Sequence, residues 1–206
     1  NLRIKNSKEI SSWDAENMFH WKSNTLRWEK YTTQYEILKE APLNEGIIIE
    51  IGVHKLCSLL RIAHFRNIFC CQDATIFGFD FFDKFELSKS SNVSSDQKFI
   101  DDFEKQTGGA LKLDEAITII EKSGLKNIKL IKGDIFYTLK EFLDSNQRNI
   151  SFLHIDVDVY PPTLFSLQES LKFCNSGSII MLDDYSHVDG ATKAVDEFLY
   201  KNSHLK

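Results

Sequence analysis

Five short apolar runs, each closing on a polar or acidic residue, limit what this chain can fold into. They are "GIIIEIG" at 46–52, "TIFGFDFF" at 75–82, "NIKLIKGD" at 127–134, "ISFLHIDVDV" at 150–159 and "GSIIMLDD" at 177–184. The first is continuously apolar, the mark of a strand covered on both faces. Between and around the runs lie helical spacings at about 26–41, 58–69, 113–124, 136–145, 161–174 and 190–202. The fifth of these opens on Pro161 and Pro162 and sets Leu164, Leu167 and Leu171 on one side. Strands alternating with helices predict an α/β fold, a doubly wound and mostly parallel sheet. Residues 1–45 read as an N-terminal helical segment ahead of a main domain at 46–206. Residues 83–112 form a polar insertion with a Gly108-Gly109 break, expected to be a lid or binding loop.

Composition narrows the function classes. With 206 residues, 42% of them hydrophobic and only 3 prolines, the chain can bury a sizeable core. Its net charge of −5 argues against general nucleic-acid binding, which needs Lys and Arg against phosphates. No apolar run approaches the ~18 residues of a membrane span, and the first residues lack the apolar core of a secretory signal. Cys57, Cys70, Cys71 and Cys174 show no paired metal-ligand spacing, so reduced thiols in a cytoplasmic protein are expected.

In sheets of this kind ligands bind beyond the carboxyl ends of the strands. There the chain concentrates Glu50 and Gly52, Asp80, Asp134, Asp156 and Asp158, and Asp183 and Asp184. Adjacent strands lie ~4.8 Å apart, so Asp183 or Asp184 can share a cation with Asp156. Carboxylates ~4 Å apart repel by about 4 kcal/mol at an effective dielectric of ~20. Such a cluster must hold protons or a cation, and all-oxygen ligation suits Mg²⁺ first. The bland alternative is that Asp183 and Asp184 cap a turn while Asp158 faces water. At the other strand ends, Glu50-Ile51-Gly52 lets backbone approach a ligand at a helix N-terminus. Asp80 suits a ribose diol, and Asp134 can accept from an adenine amine with Phe81 and Phe136 packed on the base. His154 and His187, beside the acids, can orient substrate or assist a base, or merely hydrogen-bond a carboxylate; His54 is similarly open. His20, Trp21 and Trp28 either line a substrate cleft or pack as core.

The ordered set "GIIIEIGVHKLCS", "IFGFDFFDKF", "IKGDIFYTLKEFL", "FLHIDVDVYPPT" and "GSIIMLDDYSHVDGATKAVDEFL" resembles the macrocin O-methyltransferase family from about residue 30 to 200. These are class I enzymes that use S-adenosylmethionine and Mg²⁺ to methylate sugar hydroxyls. The resemblance implies a Rossmann-like class I sheet, with Asp156, Asp183 and Asp184 as metal ligands and Asp158 as general base. It also places Glu50, Gly52, Ser58, Asp80 and Asp134 around the cofactor. The implied partner is a small sugar-containing acceptor, with neither nucleic acid nor membrane.

Two departures stand out. Where the family usually has Gly-Gly-Ser, this chain reads Leu56-Cys57-Ser58, and the larger side chains are expected to narrow the cofactor space or to shift the helix start. The last residues leave no room for the sixth and seventh strands of a complete class I sheet. A shortened or truncated chain would expose a sheet edge, which a second copy can cover. A non-catalytic cofactor-binding protein and a metal-dependent glycosyltransferase are the alternatives. The second of these leaves Asp80, Asp134 and the Asp183-Asp184 pair without a role.

Overall fold

The computed structural model describes residues 10–84 and 91–205. Residues 1–9 of the N-terminal segment and 85–90 of the insertion lie outside the described residues. The chain begins with helices α1 (Ser12–Lys22) and α2 (Thr25–Glu40), capped by the side chains of Ser11 and Asn24. A 3₁₀ turn at Leu43–Glu45 leads to strand β1 (Ile47–Ile51) and helix α3 (Cys57–Ile68). Next come β2 (Ile76–Asp80), α4 (Asp96–Thr107), α5 (Leu113–Ser123), β3 (Ile128–Lys132) and α6 (Ile135–Asn146). The chain continues through β4 (Ile150–Ile155), α7 (Tyr160–Leu171), β5 (Cys174–Leu182) and α8 (Asp189–Lys201).

The five described strands form one parallel sheet in the order β3-β2-β1-β4-β5. β1 sits at its centre and every one of its residues is buried, which is why "IIIEI" carries almost no polar residue. Alternation divides the strands between two apolar layers. Ile47, Ile49, Ile51, Phe77, Phe79 and Leu153 pack with Leu139, Leu167, Val195 and Phe198 of α6–α8. Ile48, Ile76 and Phe152 pack with Leu38 of α2, Leu59 and Ile62 of α3, and Ala116 of α5. The register of β1 against β4 pairs Ile48 with Phe152 and Glu50 with His154. Continuing that face by two residues brings Asp156 to the rim on the α2/α3 side.

The described part of the 83–112 insertion holds a helix where its composition predicts a loop. It contains α4, whose first residue, Asp96, is fully buried. The Asp96 carboxylate accepts from Ser91 Oγ at 2.5 Å and from the Tyr160 amide, at the start of α7, at 3.0 Å. A carboxylate at a helix N-terminus is favoured by the helix dipole, so Asp96 anchors α4 to the body of the fold. At the far end Lys55 Nζ donates to the Thr107 carbonyl, holding α4 across the carboxyl ends of β1 and β2.

Among the described residues no helix is long and apolar enough to cross a membrane.

Candidate active site

A cavity of about 550 Å³ opens at the carboxyl end of the sheet, within the range of small-ligand sites. Its walls come from the ends of β1, β2 and β4, the start of α3, one face of α4 and the polar face of α2. Gly52, Ser58, Asp80, Phe81, Asp156, Asp158, Asp183 and Asp184 all line it. Glu50, Asp134, Phe136 and His154, expected at the same site, do not.

Each of the four has another engagement. Glu50 and His154 are fully buried below the rim, with Nδ1 of His154 2.9 Å from Glu50 Oε1. On the other side of the ring, Nε2 faces Asp183 Oδ1 at 3.6 Å, a charge contact rather than a hydrogen bond. Burial favours the neutral imidazole. The facing carboxylates of Asp183 and Glu50 outweigh it and push His154 up to about 10. His154 is therefore a buried cation between two acids, out of reach of substrate. Asp134 caps α6, accepting from the Phe136 amide at 3.0 Å. The Phe136 ring packs on Phe165 with centroids 4.8 Å apart.

The rim acids converge as their strand positions predict. Asp156, Asp158 and Asp184 offer oxygens within 4.8 Å of one another, and an Asp156 oxygen lies within the same distance of Asp183 and His154. Burial is the largest influence on all four. It holds Asp156 well above the usual carboxylate range, reinforced by the charge of Asp183 and opposed by His154. Burial, with Asp184 and Asp183, pushes Asp158 up to about 7; burial with Asp183 takes Asp184 to about 6. Asp183 goes the other way, to about 2, because His154 and Lys30 overcome its burial.

Lys30 carries no mark in the sequence. It projects from α2, and its Nζ donates to Asp183 Oδ2 at 2.5 Å, tying the N-terminal helix to the acid cluster. Nothing in the spacing of α2 marks it, since a lysine on a polar helix face is ordinarily solvated. Arg27 on α2 and Arg61 on α3 line the cavity as well.

The loop between β1 and α3 takes an unusual path. Gly52, His54 and Leu56 all have positive φ, at 89°, 43° and 66°. Alternating conformations of this kind turn successive amides toward one point, an anion-binding concavity. The anion here is Asp80, whose Oδ2 accepts from the Val53 and His54 amides at 3.0 and 2.8 Å, while Oδ1 accepts from the Phe82 amide at 3.0 Å. Leu56 takes the left-handed backbone itself and buries its side chain fully in the core. The expected narrowing at Leu56 therefore does not occur. Cys57 and Ser58 are the residues that face the cavity there.

The remaining candidates separate cleanly. His54 lines the cavity and packs on Phe103 of α4, with centroids 5.2 Å apart. His187 is exposed, with Nδ1 3.1 Å from the Tyr185 carbonyl oxygen. His20 and Trp28 cluster with Phe19, Trp21 is exposed, and none of the three lines the cavity.

The acid cluster fixes a pH dependence. In the unfolded chain these carboxyls release their protons near 3.8, whereas in the fold Asp184 and Asp158 keep theirs up to about 6 and 7. Their contribution to stability is greatest below the unfolded value and declines as pH rises through the folded values. His154 adds in the same sense, because its raised value gives stability that is lost above neutrality. Without divalent cations, melting temperature is expected to fall by roughly 5–10 °C between pH 5 and 8. Thermal melts in chelator check this; a flat or rising profile contradicts it.

Residues 32–205 match the family described as Macrocin-O-methyltransferase (TylF). No curated protein matches the chain. Among solved structures, the calicheamicin methyltransferase CalS11 is similar with a TM-score of 0.63 at 21% identity, over 95% of this chain and 80% of that one. An apo structure of CalS11, described as a TDP-rhamnose 3′-O-methyltransferase, gives 0.61 at 19%, over 94% and 77%. The O-methyltransferase NovP gives 0.71 at 17%, over 84% of this chain and 72% of that one. These likenesses establish the Rossmann-like class I fold, and the family match spans most of the chain. The protein belongs to the macrocin O-methyltransferase family and is an O-methyltransferase.

Proposed function

We propose that the chain transfers a methyl group from S-adenosylmethionine to a hydroxyl of a sugar or glycosylated small molecule, with a hard divalent cation in the acidic corner of its cavity. The observation that carries this reading is the meeting of four carboxylates at one wall of a ligand-sized cavity. Asp156, Asp158 and Asp184 hold their protons to higher pH than an ordinary carboxyl when no cation is near, which is how an oxygen-ligand set behaves before it is filled. Both nitrogens of His154 face carboxylates, which leaves the corner to oxygen donors and so to Mg²⁺ ahead of softer ions. The family and the sugar substrate in CalS11's description favour a sugar hydroxyl as acceptor.

Bound in the cavity, S-adenosylmethionine supplies an electrophilic methyl group and Mg²⁺ makes a nearby hydroxyl more acidic. The chain's own residues do the rest. Asp156, Asp183 and Asp184 would hold the cation, with Lys30 and His154 keeping Asp183 ionised. Asp158 would take the acceptor's proton on its carboxylate, which a cation bound beside it keeps ionised for that task. It stands on left-handed backbone at φ 62°, its amide donating to Asp184 Oδ2 at 3.1 Å, so the carboxyl is aimed by its main chain. Glu50 and His154 position Asp183 from below. The start of α3 with Ser58 would receive the anionic end of the cofactor. Asp80 is left with one free lone-pair direction for a ribose hydroxyl after its three amide bonds.

Incubation with methyl-labelled S-adenosylmethionine and a panel of glycosides and sugar nucleotides tests the reading. Label transfer that stops on adding chelator and returns with Mg²⁺ is expected. Transfer indifferent to chelator removes the cation. Failure of S-adenosylhomocysteine to raise the melting temperature at saturation removes the cofactor.

A further inference from the structure

The four carboxylates proposed for the cation and the base, Asp156, Asp158, Asp183 and Asp184, gather at one corner of the cavity. The wall formed by α2 and α3 carries cations instead: Arg27, Lys30 and Arg61. Lys30 is committed to Asp183. Among the described residues no carboxylate lies within ion-pair distance of either arginine.

Arg61 is held rather than loose. It follows Cys57 and Ser58 by one helical turn, so all three share the face of α3 that lines the cavity. Its guanidinium carbon lies 4.3 Å from the centroid of the Tyr31 ring, and its Nε donates to Gln34 Oε1. Gln34 is a fully buried polar side chain on α2. Stacking and the Nε bond fix the plane of the guanidinium and leave its two terminal nitrogens for an incoming planar or tetrahedral anion. Arg27 stands one turn before Lys30, in the first turn of α2. A cation there is opposed by the helix dipole, so helix stability does not account for it.

We propose that Arg61, with Arg27, forms an anion subsite on the acceptor side of the cavity, which takes a phosphoryl group and selects phosphorylated or nucleotide-linked sugars over neutral glycosides. The assignment to the acceptor rests on the reading of this cavity as the methyl-transfer site. Two guanidinium forks from two helices match a diphosphate, whereas a lone carboxylate would fill one of them. A cationic wall that meets the acid corner at the Lys30–Asp183 pair also orients such an acceptor. Its anion is drawn to the guanidinium groups of α2 and α3, which leaves the sugar end to reach the acid corner.

Calorimetric titration of the full chain, saturated with S-adenosylhomocysteine and kept in chelator so that no metal recruits the probe, tests this. The probes are uridine diphosphate, inorganic pyrophosphate and glucuronate. Both diphosphates are expected to bind, more weakly as salt rises, with glucuronate at least 10-fold weaker. Arg61→Gln and Arg61→Lys should each weaken diphosphate binding about 10-fold or more, the lysine variant because it keeps the charge and loses the fork. Arg27→Gln should weaken it less, about 3-fold, and affinity for S-adenosylhomocysteine should stay within about 2-fold in all three. Binding of uridine diphosphate without pyrophosphate would mark a nucleoside site and overturn the phosphoryl assignment, as would preference for glucuronate. Failure of both diphosphates, unchanged binding in Arg61→Gln, or loss of S-adenosylhomocysteine with Arg61 overturns the subsite. If wild type ignores S-adenosylhomocysteine yet binds diphosphates through Arg61, the cofactor reading falls while the anion subsite stands.

Discussion

Asp158→Asn is expected to lower the turnover number by about 10²–10⁴-fold while leaving Mg²⁺ affinity within a few-fold. The substitution keeps the size of the side chain and the amide bond from residue 158 to Asp184 Oδ2, and removes only the ability to take a proton. Steady-state methyl transfer together with a Mg²⁺ titration of the same variant checks both halves. The second half matters because Asp158 shares its 4.8 Å oxygen set with Asp156 and Asp184. Ordinary turnover removes Asp158 as the base. Mg²⁺ affinity falling in step with turnover makes Asp158 a ligand, and Asp183, already bound to Lys30, would then lose its claim to that role.

Gly52→Ala should cost about 3 kcal/mol or more of stability, roughly 6–12 °C in melting temperature. A methyl carbon placed there would lie 1.8 Å from the carbonyl oxygen of Asp156 and 2.7 Å from its carbonyl carbon, both main-chain atoms, at φ 89°. Neither side can yield easily. The Gly52 amide donates to the Phe79 carbonyl at 2.9 Å and the Asp156 amide to the Ile51 carbonyl at 2.8 Å, so β1 is stitched to β2 and β4 at that level. The first strand's glycine thus does less to admit a ligand than to let β1 and β4 close, which sets where Asp156 stands. Gly177→Ala serves as the control: its φ is also positive, at 93°, but nothing lies within 4 Å of the added carbon. It should lose about 1 kcal/mol, from backbone strain alone. Urea melts of the two variants measure the difference, and equal losses would contradict the crowding argument.

The strand and helix order was legible because burial on both faces leaves long apolar runs and helices leave amphipathic ones. The convergence of Asp156, Asp158, Asp183 and Asp184 was legible too, since residues closing neighbouring parallel strands share a rim. Register was not. Glu50 reads as a cofactor residue by position and His154 as a catalytic one by company, yet the β1–β4 register sets them side by side below the rim, where Nδ1 of His154 meets one Glu50 oxygen. Asp134 and Phe136 lie just past the end of β3, as their spacing predicts, but the local geometry of a helix start claims the first and Phe165 the second. Lys30, Arg27 and Arg61 belong to helices whose docking on the sheet no spacing rule encodes. Asp96 was hidden in a Ser/Asn-rich stretch that reads as loop until its burial is seen.

The most direct test of the central claim is a calorimetric titration of Mg²⁺ into the protein at pH 7 with S-adenosylhomocysteine bound, repeated in buffers of different ionisation enthalpy. One ion per chain is predicted, with net proton release, because Asp158, near 7 without the ion, gives up the proton it partly holds at that pH. Binding should be lost in Asp156→Asn. No saturable binding, or binding that survives in Asp156→Asn without proton release, would contradict the claim that these carboxylates form a cation site.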